Sequence, residues 1–109
     1  MEEMDRFVVL YNKQREFMDY LDNKGRLPTL KDTQLALFTE VGEWANELAL
    51  FKTWKTSHEI NRAKVLEEFI DILFFWLQAL IMMHFSVEEV VEEYLRKWDE
   101  NVRRQQSGY

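Results

Sequence analysis

The segment from residue 66 to residue 85, LEEFIDILFFWLQALIMMHF, constrains the fold of this chain more than any other stretch. Apolar residues lie on nearly every side of a helix drawn through it, so other elements must surround that helix. The apolar run from Phe69 to Phe85 contains Asp71 and Gln78 and lacks basic flanks, so we do not expect it to span a membrane. The segment therefore predicts the central helix of a helical domain.

Capping residues and breaks divide the chain into four predicted helices. Gly25 and Pro28 separate the first two, Ser57 is a candidate N-cap for the third, and Ser86 with Glu89 forms a capping box that opens the fourth. The predicted helices cover residues 4–22, 30–54, 59–85 and 86–104. With three glycines, one proline and no cysteine, the composition favours a single all-α domain over residues 1–109, without disulfides or a thiolate metal site.

The third predicted helix is too apolar for one small chain to cover, because only three other helices are available to surround it. We therefore expect the four-helix bundle to be completed by homo-oligomerisation, as a dimer or a tetramer. Trp76 and Leu80, in the later half of this helix, are the expected contact residues. A monomer would leave a large apolar patch in water.

The charge of the chain limits the classes of partner. A net charge of −6 argues against wrapping duplex nucleic acid, which needs a basic face, and it suits the binding of divalent cations. The acidic start MEEMDRF lacks the positive region of a signal peptide, and cysteine is absent. We therefore expect a cytoplasmic protein that binds neither duplex nucleic acid nor a membrane.

Four carboxylates are spaced to meet between the second and third helices. Glu40 and Glu43 are three residues apart, and so are Glu68 and Asp71, so each pair shares one helix face. Antiparallel packing of the two helices would bring the pairs together. A buried carboxylate without a partner costs on the order of several kcal/mol. A hard divalent cation such as Mg²⁺ would satisfy Asp71 in its apolar surroundings.

Two other interpretations concern the same acids. They could be solvated helix faces with chance spacing, as is common in a chain with 20 acidic residues, although this leaves Asp71 unexplained. A di-iron bundle would need Glu-x-x-His pairs, and Ile81 stands three residues before His84. Spacing alone therefore leaves a metal site and a solvated face both open. We expect His84 at a helix end or interface and His58 in a surface loop.

Three ordered segments resemble the all-α NTP pyrophosphohydrolase superfamily, which includes MazG-like enzymes and dimeric dUTPases. LALFTEVGEWANELALFKTWK is similar to the first metal-binding helix of the dimeric, type 2 dUTPases, and VLEEFIDILFF is similar to the second. Many relatives have extra helices between the second metal-binding helix and the tail, whereas this chain passes straight from one to the other, and it carries Phe74 where relatives often have His. The tail KWDENVRRQQSGY resembles their closing motif, matching at Lys97, Asn101, Arg104, Gln105, Gly108 and Tyr109.

The resemblance implies a Mg²⁺-dependent enzyme that hydrolyses a nucleoside triphosphate between its α and β phosphates. Its expected substrate is dUTP, its products are dUMP and pyrophosphate, and Mn²⁺ is the expected substitute metal. The resemblance implies metal binding by Glu40, Glu43, Glu68 and Asp71, with Glu43 as the catalytic base that activates water. The implied substrate-binding residues are Gln14, Lys52, Trp54, Lys55, Lys97, Asn101, Arg104 and Tyr109.

Two alternatives to this function stay open at the level of sequence. One is a house-cleaning pyrophosphohydrolase acting on another (d)NTP. The other is a non-catalytic helical oligomerisation module, which predicts no metal-dependent release of pyrophosphate. Without the resemblance, the lysines are ordinary helix-surface residues. Trp44, Trp54 and Phe75 are either core aromatics or walls for the base and the sugar.

Overall fold

The computed structural model describes residues 2–108, with side chains described from residue 6 onward. Four α-helices and no strand occur in this part of the chain, which confirms the predicted all-α, four-helix fold. Tyr109, a predicted substrate-binding residue, lies outside the described residues. The helices are α1 (Glu2–Asn23), α2 (Leu30–Leu48), α3 (Arg62–Met82) and α4 (Val87–Gln106).

Capping interactions set several of the helix ends. The Thr29 side chain accepts a hydrogen bond from the backbone N–H of Asp32 (3.1 Å) and caps α2. At the start of α4 the predicted capping box is present, because Ser86 and Glu89 each accept a hydrogen bond from the backbone N–H of the other. Gly25, the predicted break after α1, has a left-handed φ of 66°, which glycine adopts without steric cost.

The predicted end of the second helix, residue 54, was wrong. The helix ends at Leu48 because Ala49 takes a left-handed conformation (φ 55°), with its N–H still bonded to the carbonyl of Ala45 (2.9 Å). Lys52 and Lys55 therefore lie in turns after α2 instead of on its surface.

The predicted limits of the third helix, residues 59 and 85, were also wrong. Asn61, not Ser57, is the N-cap, and its side chain accepts from the N–H of Lys64 (3.2 Å). The preceding residues 57–60 are not helical, and within them the Nε2 atom of His58 hydrogen-bonds the carbonyl of Glu47 (2.6 Å). At the other end α3 stops at Met82, and His84 follows in the left-handed region (φ 63°).

The helices pack unevenly around α3. α2 lies along α3, α1 also packs on α3, and α4 contacts α1 but not α3 within the described residues. The chain turns by 112° between α3 and α4, which opens a cleft of about 740 Å³ between them. Trp76 and Leu80 of α3 and Val90 and Tyr94 of α4 line this cleft, which we call the α3/α4 cleft.

The isolated chain leaves much apolar surface in water. Its radius of gyration is 17.4 Å, against about 13 Å for a compact chain of this length. The fourth helix alone exposes 69% of Tyr94, 55% of Leu95 and 55% of Trp98. Residues 2–108 contain no single helix long and apolar enough to cross a membrane, and α3 and α4 meet that criterion only as a bent pair.

Candidate metal centre

The structure brings the four predicted carboxylates of α2 and α3 together. One oxygen atom from each of Glu40, Glu43, Glu68 and Asp71 lies within 4.8 Å of the corresponding oxygens of the other three. We call these four residues the carboxylate quartet. Three-residue spacing places each pair on one face of its helix, and the packing of α2 along α3 makes the two faces meet.

An aromatic contact holds the two helices in register beside the quartet. The ring of Trp44, which follows Glu43, packs at 49° to the ring of Phe69, which follows Glu68, with centroids 5.4 Å apart. This contact places the turn of α2 that carries Glu43 beside the turn of α3 that carries Glu68. Trp44 is therefore part of the helix packing, and it does not line the cavity next to the quartet.

Burial differs across the quartet. Glu68 is buried, with 6% of its surface exposed, Glu40 and Asp71 are half-buried, and Glu43 is exposed. The cluster is thus closed at Glu68 and open to water at Glu43. A side chain at the open end can contact a solvent molecule and a ligand at the same time, which a general base must do.

The quartet lacks the donors that would satisfy it. Oε2 of Glu40 and Oε2 of Glu68 are both buried without a hydrogen-bond partner among the described residues. Lys64 is the cation nearest to Glu68, and its Nζ atom lies 3.7 Å from Oε1. Four oxygen ligands with two buried, unpaired acceptors fit the preference of Mg²⁺ for carboxylate oxygens.

Burial raises the pKa of Glu40 to about 7. A hydrogen bond with Glu43 and the negative charges of Glu43, Asp71 and Glu68 raise it further in the same direction. Removal from water penalises the charged form, and like charges nearby add to the penalty. Part of the quartet is therefore protonated at neutral pH as long as no cation is bound.

This raised pKa predicts how the metal-free protein responds to pH. An ordinary Glu has a pKa of 4.5, so the folded state binds more protons than the unfolded state between pH 4.5 and about 7. In a chelating buffer, lowering the pH from 8 to 5.5 should therefore raise the melting temperature, on the order of 5 °C. Scanning calorimetry measures this shift.

The variant Glu40→Gln is the matched control, because it cannot titrate and should lose most of the pH dependence. Ion pairs with basic side chains of α4 lower the pKa of Glu93 and of Glu100. These two carboxyls therefore stay charged between pH 8 and 5.5 and do not contribute to the shift. A wild-type melting temperature that falls when the pH is lowered from 8 to 5.5 would contradict the raised pKa of Glu40. Bound Mg²⁺ should weaken the effect, because protons compete with the metal for the same carboxylates.

A cavity of about 360 Å³ adjoins the quartet. Glu40 and Asp71 form its acidic end, and Gln14 of α1 and Gln78 of α3 supply its amides. Its remaining wall is aromatic, formed by Phe17, Phe74 and Phe75. Gln14 and Phe75, both named in the sequence analysis, thus lie in the same cavity as Glu40 and Asp71.

The other predicted substrate-binding residues do not line this cavity. Lys52, Trp54 and Lys55 lie in the turns after α2. Trp54 is 71% exposed, and its ring packs edge-on against the ring of Phe51, with the ring centroids 6.2 Å apart. On α4, Lys97 lines the α3/α4 cleft. The remaining two, Asn101 and Arg104, lie further along α4, and Arg104 pairs with Glu100.

Sequence reasoning missed three residues at this site. Gln78 lies seven residues after Asp71, two helical turns away and on the same face of α3, and it is 2% exposed. As a polar residue inside the same apolar run, it carried the same signal as Asp71. Lys64, four residues before Glu68, carried a spacing signal for its ion pair. Thr33, which is fully buried, carried none.

A family model described as dUTPase matches this chain over residues 6–84. The matched span holds the whole quartet, Gln14 and the turn residues Lys52, Trp54 and Lys55, and it ends before α4. No curated protein and no solved structure matches the chain.

Proposed function

The chain belongs to the all-α dUTPase family, and from this membership we propose that it hydrolyses dUTP to dUMP and pyrophosphate with Mg²⁺. Family membership supports a nucleotide pyrophosphatase, whereas the substrate and the metal are the finer part of the proposal. The observation that carries it is the quartet, whose two unpaired buried oxygens call for a cation. We propose one domain over residues 1–109.

The four carboxylates would hold the metal, with Mn²⁺ as a substitute. When bound, Mg²⁺ supplies charge neutralisation for the phosphates and lowers the pKa of a coordinated water. Glu43 orients the attacking water and takes its proton, because it is the exposed member of the quartet and borders solvent. Glu40, Glu68 and Asp71 are less exposed than Glu43 and would hold the metal between α2 and α3.

The cavity next to the quartet is the proposed site for the base. Its volume of about 360 Å³ lies near the lower end of the range for ligand pockets, about 300–1,000 Å³, which suits a pyrimidine. Oε1 of Gln14 is buried without a hydrogen-bond partner among the described residues. An unpaired buried acceptor costs roughly 1–3 kcal/mol, so a ligand N–H such as N3–H of uracil would be bound there. Phe75 and Phe74 would flank the ring.

The phosphates require cations from outside this cavity. Lys52 and Lys55, in the turns after α2, are the proposed contacts from the same chain, and Trp54 beside them would cover the sugar or the base. On α4, Lys97, Asn101 and Arg104 recur at four and three residues and so share a helix face. Because α4 contacts α1 and not α3, we propose that this face and Tyr109 serve the site of a neighbouring subunit.

The same geometry supports a homo-oligomer, either a dimer or a tetramer. The α3/α4 cleft is wide and open, its lining combines apolar side chains such as Trp76, Leu80 and Tyr94 with charged residues of α4, and a second copy of the chain is its proposed occupant. Burying the exposed apolar side chains of α4 is the driving force. Trp76 and Leu80 line the cleft, so the contact residues expected from the sequence fall on this surface.

Light scattering at micromolar concentration should therefore show at least a dimer. Tyr94→Glu should shift the protein towards monomer, because it places a charge in the cleft without touching α3 packing. Leu35→Glu is the matched control, since Leu35 lies on α2 and is 68% exposed, close to the 69% of Tyr94. A monomeric wild type would refute the assembly, and equal dissociation by both variants would refute the assigned surface.

A substrate panel separates the proposal from its alternatives. Among dUTP, dCTP, dTTP and UTP, we expect dUTP to have the highest kcat/KM. A higher value for another nucleotide would favour the house-cleaning hydrolase, which keeps the same quartet and differs in the base cavity. The non-catalytic module predicts no turnover of any member of the panel.

A further inference from the structure

A chain of hydrogen bonds crosses three helices beside the base cavity. Nε2 of Gln14 (α1) donates to Oε1 of Gln78 (α3) at 3.5 Å, and Nε2 of Gln78 donates to the hydroxyl of Thr33 (α2) at 2.8 Å. The Thr33 hydroxyl in turn donates to the carbonyl of Thr29 at 2.9 Å, with the sulfur of Met82 at 3.5 Å. We call Gln14, Gln78 and Thr33 the amide relay; they are 3%, 2% and 0% exposed.

The far end of the relay fixes the direction of every bond in it. A backbone carbonyl and a thioether sulfur only accept hydrogen bonds, so the Thr33 hydroxyl must donate to one of them. Since its proton is used in that bond, the Thr33 oxygen can only accept from Gln78. The NH₂ group of Gln78 therefore points towards Thr33. The side-chain oxygen of Gln78 therefore points towards Gln14 and accepts a hydrogen bond from the NH₂ group of Gln14.

The near end of the relay is left with a free acceptor. With its NH₂ group bonded to Gln78, Gln14 keeps Oε1, which is buried and finds no partner in the described part of the chain. Gln14 and Gln78 line the cavity with Glu40 and Asp71, whereas Thr33 does not. The polarity that the cavity shows to a ligand is therefore set by a hydroxyl that the ligand cannot touch.

We propose that Thr33 and Gln78 are positioning residues that set base specificity by holding the Gln14 carbonyl oxygen towards the bound base. The proposal deepens the proposed hydrolysis of dUTP and rests on it. A base edge with a ring N–H, as in uracil, pairs with this oxygen. The ring N3 of cytosine is an acceptor and would face it acceptor to acceptor, and sites built around one hydrogen bond reject such analogues strongly.

Thr33→Val tests this, because it keeps the shape of the side chain and removes the hydroxyl. The Gln78 amide then has no acceptor to fix it, both amides can flip, and Gln14 can present NH₂ to the cavity. We expect the ratio of kcat/KM for dUTP over dCTP to fall about tenfold or more, carried mainly by KM. Thr33→Ser, which restores the hydroxyl, should restore the ratio.

Equilibrium binding of dUMP and dCMP by calorimetry gives the same readout without turnover. A preference for dUMP that Thr33→Val removes would support the relay even if the protein hydrolyses no nucleotide, in which case the proposed function alone fails. A purely structural tie between the helices would lower the melting temperature and leave the ratio unchanged, and that result overturns the proposal. A wild type that does not prefer uracil also overturns it.

Thr33 is fully buried, so the valine variant must be shown to fold by its circular dichroism. If it does not fold, Gln78→Met is the second variant, because it removes both polar ends of the middle amide at similar length. The same fall in the ratio is expected from it. An unchanged ratio in a folded Gln78→Met protein would equally overturn the proposal.

Discussion

Asp71→Asn is expected to lower kcat/KM for dUTP by at least about a thousandfold, or ~4 kcal/mol of transition-state stabilisation. The substitution keeps the size of the side chain and removes one negative charge from the quartet, whose oxygens lie within 4.8 Å of one another. Metal affinity and activation of water then fail together. Glu43→Gln should have a similar effect on kcat at saturating Mg²⁺, because it removes the base. A pyrophosphate-release assay measures both.

Glu67→Gln is the matched control for these variants. Glu67 precedes Glu68 on α3, but its side chain is 66% exposed and pairs with Lys64 outside the quartet. Its activity should stay close to that of the wild type. The metal-free Asp71→Asn protein should be as stable as the wild type or more so, because one of four mutually repelling acids is gone. Near wild-type turnover of Asp71→Asn would remove the quartet from the mechanism.

Deleting residues 100–109 is expected to cut kcat/KM by about a hundredfold or more, roughly 3 kcal/mol. These residues add little to the core, because within 100–108 only Glu100 and Val102 are even half-buried. The deletion removes the last residues of α4, so helicity should fall only by the share of those residues, and oligomer size should change little. Arg104→Ala should reproduce about half of this energy, since its guanidinium is the fork that best matches a phosphate. Unaltered kinetics after the deletion would show that the tail has no part in the reaction.

Mixing two inactive proteins tests whether the tail acts between subunits. In a refolded equimolar mixture of Asp71→Asn and tail-deleted chains, half of the dimers are mixed, and each mixed dimer has one complete site if the tail serves its neighbour. The mixture should then recover about a quarter of wild-type activity. If the tail serves its own chain, no complete site forms, and the mixture shows only the average of the two separate proteins.

The fold was predictable where the chain carries local signals. The capping box of Ser86 and Glu89 predicted the start of α4. The position of Asp71 inside an apolar helix predicted that its charge has a partner. The end of α2 carried no such signal, because Ala49 is an ordinary helix-forming residue held in a left-handed conformation by the turn that follows. Ser57 was the predicted cap of α3, but the helix starts four residues later behind Asn61, and the His58 contact to Glu47 lies in the non-helical segment between the two.

The parts of the site that depend on tertiary structure could not be predicted. The amide relay joins residues that are 64 and 45 positions apart, so no periodicity within one helix encodes it. The capping box predicted the helix α4, but not the 112° turn between α3 and α4, and Lys97 and Arg104 on α4 do not line the cavity next to the quartet. The quartet itself was within reach, because each half is a three-residue spacing and α2 and α3 are consecutive helices.

Release of pyrophosphate from dUTP, measured with Mg²⁺ and again after chelation, tests the central claim most directly. We predict stoichiometric dUMP and pyrophosphate with Mg²⁺, loss of the reaction in chelator, and recovery when Mg²⁺ or Mn²⁺ is returned. Dependence of the reaction on the metal tests the role of the quartet, because its carboxylates are the proposed metal-binding residues. Turnover that persists in chelator, or no pyrophosphate from any nucleoside triphosphate with either metal, would contradict the proposed metal-dependent hydrolysis.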